Sequence, residues 1–146
     1  MLYSKSAEYA IQAMIYLAEH NPEKPVMIRK IAEDYGIPYQ FLAKIIQVLV
    51  KHKFIKATRG RTGGVLLAKD SSKIYLNQIV NAIDGLPPEE DMCVVGLDLC
   101  TDEVPCPLHD RYKPIRKQLR KLLVEKSLED LSKKVIQKRK KMQKNK

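Results

Sequence analysis

Tryptophan is absent from the 146 residues and phenylalanine occurs only twice, so packing must come from seven tyrosines and from aliphatic side chains. No run approaches the roughly 18 unbroken apolar residues of a membrane span. The opening Met1-Leu2-Tyr3-Ser4-Lys5 lacks the apolar stretch of a secretory leader. A cytoplasmic location with no membrane partner is expected. Cysteine is scarce too: the chain has three, an odd number that leaves one thiol over from any disulfide framework. What is present is enough to fold. Apolar residues make up 45% of the chain, and its length suits one compact domain with a sizeable core better than two.

Acidic residues are nearly missing from the last quarter. Residues 111–146 hold 15 Lys or Arg against 3 Asp or Glu, whereas residues 1–110 hold 12 against 14. Within that first part, Lys24 to Lys73 carries 11 basic and 3 acidic residues, and Asp84 to Asp110 carries 8 acidic and no basic ones. A basic block, an acidic block and a basic tail follow one another. The basic block suits a phosphate backbone, or else is a solvated surface.

Ala7, Ala10, Ile11, Met14, Leu17 and Ala18 recur at helical spacing and predict a first helix from Ser4 to about His20, ended by Asn21-Pro22. A short helix is expected from Met27 to Asp34, then a tight turn at Tyr35-Gly36-Ile37-Pro38. A further helix follows from Tyr39 to about His52 with Leu42, Ile45, Ile46, Leu49 and Val50 inward. Two helices across a short glycine-containing turn read as a helix-turn-helix, or as a helical hairpin without function. The next segment favours the former. Phe54 to Arg59 and Val65 to Ala68 read as two strands around the tip Gly60-Arg61-Thr62-Gly63-Gly64, a basic glycine-rich hairpin placed as a wing. Arg59 and Arg61 can follow phosphates or enter a minor groove. Tyr39, Gln40 and Lys44 are expected on the outer side of the second helix, Gln40 reading a base edge while Lys44 and Lys51 meet phosphates.

A helix over Leu76 to Asp84 is expected to stop at Gly85-Leu86-Pro87-Pro88. Glu89 to Leu108 shows no periodicity, and helix resumes near Leu108 with Tyr112, Ile115, Leu119, Leu122 and Leu123 on one face. Ser127 caps a last helix that should dissolve into a frayed basic run from Lys138. The expected organisation is a winged DNA-binding domain over 1–84, a cysteine loop over 85–108, dimerisation helices over 109–137 and a flexible tail over 138–146. The fold class is mainly α with a small β wing.

All three cysteines, Cys93, Cys100 and Cys106, lie in that loop, with His109 three residues beyond the last. Core cysteines would be scattered rather than gathered. Three thiols and an imidazole suit zinc or an iron–sulfur centre, and thiol redox chemistry without a metal is an alternative. No close C-x2–4-C pair of the kind common in structural zinc sites is present.

Several stretches resemble the iron–sulfur-cluster-sensing winged helix-turn-helix regulators, the family of IscR and NsrR. They are Ser4-Lys5-Ser6-Ala7-Glu8-Tyr9-Ala10, Ile31-Ala32, Ile37 to Leu42, Arg59 to Ala68, and Ile79-Val80 with Ala82-Ile83-Asp84-Gly85. The resemblance covers about Met1 to Glu125. It implies a transcriptional regulator, usually a repressor and not an enzyme, that binds an operator in double-stranded DNA as a homodimer. Cys93, Cys100 and Cys106 would hold the cluster. His109 matches the fourth ligand of one branch, and Glu8, early in helix one, matches an acidic ligand that other branches take from the partner subunit. With His109 as ligand, [2Fe–2S] is favoured over [4Fe–4S].

Overall fold

Ser4 starts the first helix: its hydroxyl accepts from the amide of Ala7, and both its own amide and its hydroxyl are held by Asp84. In the computed structural model, which describes residues 3–20, 23–85 and 93–145, this helix, α1, spans Lys5–Glu19. Its residues Ala7, Ala10, Ala13, Met14 and Leu17 are buried, the small alanines letting neighbouring helices approach closely. Next come α2 (Ile28–Tyr35) and α3 (Tyr39–Lys51). The turn between them works because Gly36 takes φ 64°, a left-handed conformation that costs glycine little, and closes α2.

Strands β1 (Ile55–Thr58) and β2 (Gly64–Leu67) pair antiparallel, with Ile55 opposite Leu67 and Thr58 opposite Gly64. Val26 extends the wing on its other edge through two backbone hydrogen bonds with Val65, of 2.9 and 2.8 Å. Gly64 makes this approach possible, since a Cβ there would sit 2.5 Å from the carbonyl oxygen of Val26. A short 3-10 turn at Ser71–Lys73 leads into α4 (Leu76–Asp84), and α5 (His109–Glu125) and α6 (Leu128–Lys144) complete the chain. The proline stop at Leu86 to Pro88 and the helix end at Asn21-Pro22 lie outside the described residues, as do the acids Glu89, Glu90 and Asp91. Among the described residues no helix is long and apolar enough to cross a membrane.

The end of the chain differs from the sequence expectation. Helix α6 continues to Lys144 instead of fraying at Lys138. Lys, Arg, Gln and Met are good helix formers, and cations in the last turn suit the helix dipole. Arg139 also fastens the helix, pairing with Glu19 at 2.8 Å, donating to the Tyr35 hydroxyl and lying over the Tyr35 ring. The apolar side of α6 faces α1 of the same chain. Leu128 is fully buried, Leu131 and Val135 pack beside it, and the Leu128 amide donates to Ile74 at 2.7 Å. In packing terms α6 therefore belongs with the winged domain. Helix α5 touches that core through Leu123 but has no buried residue, and Ile115, Leu122 and Val124 are each about half exposed.

Candidate functional site

The helix-turn-helix presents one side to solvent by the same periodicity that buries the other. With Leu42, Ile45, Ile46 and Leu49 inward, Tyr39, Gln40, Lys44 and Lys51 of α3 are all exposed. Tyr39 is not a loose side chain, because the guanidinium of Arg29 lies 4.9 Å from its ring centroid and ties the start of α2 to the start of α3. Arg59 and Arg61 are exposed at the tip of the wing. Thr58 braces that tip, its hydroxyl accepting from the Gly64 amide at 3.2 Å. Recognition helix and wing thus carry the six residues named from the sequence, and Arg29 is an addition. It lies in the basic block but gives no periodic signal of its own.

The second constellation lies in the loop before α5. The sulfurs of Cys93, Cys100 and Cys106 all fall within 4.8 Å of one another. Local turns bring them there. The Gly96 amide bonds back to the Cys93 carbonyl at 3.0 Å, Gly96 and Asp98 both have positive φ, and Thr101 accepts from the amides of Glu103 and Val104. Cys93 and Cys100 are buried and Cys106 half-buried. His109, the first residue of α5, places Nδ1 3.2 Å from the Cys100 sulfur. Its other nitrogen, Nε2, is 2.9 Å from Asp102, whose carboxylate also binds Lys113 at 2.6 Å.

These contacts set the electrostatics. Backbone amides around Leu97 and Val95 stabilise the Cys93 thiolate, as do the two neighbouring thiols, and bring its pKa below the usual thiol value against the effect of burial. At Cys100 the Cys106 amide favours the thiolate, but burial and the sulfurs of Cys106 and Cys93 outweigh it and push the thiol up. The Lys113 ammonium, and secondly His109, hold the Asp102 carboxyl below its ordinary range. A cavity of about 870 Å³ opens beside the loop, lined by Cys100 and Cys106 of the loop and by His109, Tyr112, Lys113 and Arg116 of α5.

The donor set fits a thiophilic metal centre: three convergent soft sulfurs and an adjacent imidazole, all on one loop and its following helix turn. Glu8 is not among this group. Its carboxylate binds Lys5 at 2.7 Å and Gln12 at 3.4 Å on its own helix. Asp102 and Lys113 escaped the sequence reading, although Lys113 stands four residues after His109, one turn along the same helix face.

Comparison with known proteins agrees with this architecture. The model of the Rrf2 family, described as an iron-dependent transcriptional regulator, matches residues 3–134. The chain belongs to the Rrf2 family. Its members are transcriptional regulators rather than enzymes, so the exposed recognition helix and wing belong to a DNA-binding regulator. Among relatives, it is 33% identical over 133 residues to a Mycobacterium tuberculosis protein named as an HTH-type transcriptional regulator, covering 90% of this chain and 81% of that one. It is 29% identical to the HTH-type transcriptional regulator IscR of Xenorhabdus nematophila, covering 91% and 80%. Of solved structures, IscR of T. potens superposes with a TM-score of 0.72 at 27% identity, covering 90% of this chain and 86% of that one. CymR, the global cysteine regulator of B. subtilis, superposes at 0.74 with 24% identity over 89% and 95%, a likeness of fold.

Proposed function

We propose that this Rrf2-family protein is a cytoplasmic repressor that binds its operator as a homodimer, under the control of an iron–sulfur cluster held by Cys93, Cys100 and Cys106. The observation that carries the reading is the convergence of those three sulfurs within 4.8 Å, with His109 Nδ1 3.2 Å from one of them. His109 is the fourth ligand we favour, which favours [2Fe–2S]. It is local to the loop, whereas the Glu8 carboxylate is engaged by Lys5 and Gln12. The cluster, when bound, supplies a centre sensitive to iron supply and oxidation.

The chain's own residues carry that state to DNA. The cysteine loop runs directly into α5, whose half-exposed Ile115 and Leu122, two turns apart on one side of the helix, form the face for a second copy. Drawing the loop together resets α5 and with it the spacing of two winged domains, in which Gln40 reads a base edge while Tyr39, Lys44, Lys51, Arg59 and Arg61 position the protein on the duplex. A coupling of about 1–3 kcal/mol between loop and operator changes affinity roughly 5–150-fold.

The test is anaerobic reconstitution with iron and sulfide, counting both per chain and measuring operator affinity by gel shift. Cys100→Ala and His109→Ala are expected to lose the chromophore and its effect on DNA, while Glu8→Ala retains both. Loss in Glu8→Ala alone overturns the ligand assignment, and unchanged iron binding in Cys100→Ala overturns the sensor itself. One observation favours a second reading, a metal-free thiol switch: the Cys93 thiol is acidified and has two other sulfurs within reach. That reading requires iron-free protein after anaerobic purification, together with peroxide-sensitive DNA binding.

A further inference from the structure

Behind two of the proposed ligands runs a polar chain, Cys100, His109, Asp102 and Lys113 linked in that order, whose last two members the sensor reading leaves unused. We infer that Asp102, anchored by Lys113, is a positioning residue that sets which nitrogen of His109 faces the cysteines. This inference rests on the proposed function for its consequence, but the hydrogen bond it concerns exists without any metal.

The geometry leaves one arrangement of a neutral ring. A carboxylate can only accept, so the Nε2 proton of His109 must be donated to Asp102 across 2.9 Å. A neutral imidazole carries one ring proton, so Nδ1 is then a bare lone pair. It lies 3.2 Å from the Cys100 sulfur, where in the metal-free protein it accepts the thiol proton. The same lone pair is what a metal ligand must offer, and an imidazole with a carboxylate behind its far nitrogen is the arrangement that orients histidine ligands and raises their basicity. Asp102 is itself held. Both of its oxygens receive the Lys113 ammonium, at 2.8 and 2.6 Å, although the carboxylate is 68% exposed. Without that clamp a carboxylate so open to water would swing away from the ring. The His109 ring is only 10% exposed, so the hydrogen bond lies at the edge of a covered site where competition from water is limited.

Asp102 comes from the loop and Lys113 from α5, so their pair also closes the loop onto the helix that follows it. Glu103, the neighbouring acid, bonds through its amide to Thr101 rather than to His109, which makes it the natural control.

The test uses the full-length chain, 15N-labelled, reduced and metal-free, at a pH above the ordinary imidazole pKa of about 6.5. The His109 Nε2 proton is expected as a slowly exchanging resonance in the wild type. It should be lost in Asp102→Ala, regained in Asp102→Asn (whose side-chain oxygen still accepts), and unchanged in Glu103→Ala. After reconstitution with iron and sulfide, resistance of the chromophore to excess EDTA should fall about 10–100-fold in Asp102→Ala and recover in Asp102→Asn. A protected Nε2 proton that survives in Asp102→Ala, or chelator resistance equal to wild type in that variant, overturns the inference. If no form of the protein takes up iron, the cluster reading fails while the proton resonance still decides whether Asp102 orients His109.

Discussion

Truncating Leu128 to alanine tests whether the last helix belongs to the winged domain or only to an assembly of two chains. Leu128 has no exposed surface and lies among the buried residues of the main core, its amide bonded to the Ile74 carbonyl at 2.7 Å. The first residue of α6 is thus pinned on two sides, and the cavity left by a missing isobutyl group has little freedom to collapse. Leu→Ala at such sites costs about 2–5 kcal/mol. At about 2–4 °C per kcal/mol for a chain near this size, the melting temperature should fall by roughly 4–20 °C. Far-UV circular dichroism is the assay, because the chain has no tryptophan. The scan is repeated at several protein concentrations, so that a contribution from association shows as concentration dependence. A single cooperative transition at the lower temperature is expected, with no enlarged dependence on concentration. A fall under about 2 °C, or a separate early transition for α6 alone, would refute the claim that α6 completes the core.

Gly64→Ala should break the docking of Val26 on the wing, since the new methyl group would lie 2.5 Å from the Val26 carbonyl oxygen. Two backbone hydrogen bonds are at stake, about 2 kcal/mol together, so both melting temperature and operator affinity should drop; normal values for both would remove the bracing role. Arg61→Ala should lower the slope of log affinity against log salt by about 0.9 for each phosphate that Arg61 neutralises, read by gel shifts at several salt concentrations, while an unaltered slope would take Arg61 off the DNA. Stability should also fall at both ends of the pH scale. Lys30, and then the Tyr16 hydroxyl, hold the Asp34 carboxyl below its ordinary value, so this contribution is complete above about pH 4 and is lost as pH falls through the lowered value. Burial, and then Asp34, push Tyr16 up to about 12. The unfolded chain therefore releases that proton first, and stability declines between about pH 10 and 12. Tyr16→Phe should flatten the alkaline decline in urea midpoints, and an equal decline in that variant would exclude Tyr16 as its source.

Much of this was legible in the sequence because one element carried one signal. The apolar spacing in α3 marks its inner face to within a residue; in α1 it marks one side, while Ala13, Ile15 and Tyr16 are buried as well because neighbours cover more of that helix. The Gly60-to-Gly64 tip marks the wing because its backbone demands leave few alternatives. The three cysteines stood out by crowding into one loop. Less legible were interactions whose partners lie far apart in the chain. The basic run from Lys138 looks solvated in isolation. It stays helical because Arg139 finds Glu19 and Tyr35, more than a hundred residues earlier. Asp102 was one acid among eight in its block, and only the fold shows that it faces a histidine.

The return of α6 to α1 also has a consequence for how the chain is made. Contacts such as Arg139 with Glu19 join residues 120 positions apart. The face of α1 that Leu128, Leu131 and Val135 cover therefore stays open during synthesis until α6 has emerged. Closing so long a loop is an entropic cost that falls late, and a nascent chain with an open apolar helix face is the form most exposed to aggregation and to proteases. A stop codon or nick shortly before Ser127 would remove no residue named for DNA or metal. It would still leave the first helix uncovered, so quality control would meet the loss before any operator did.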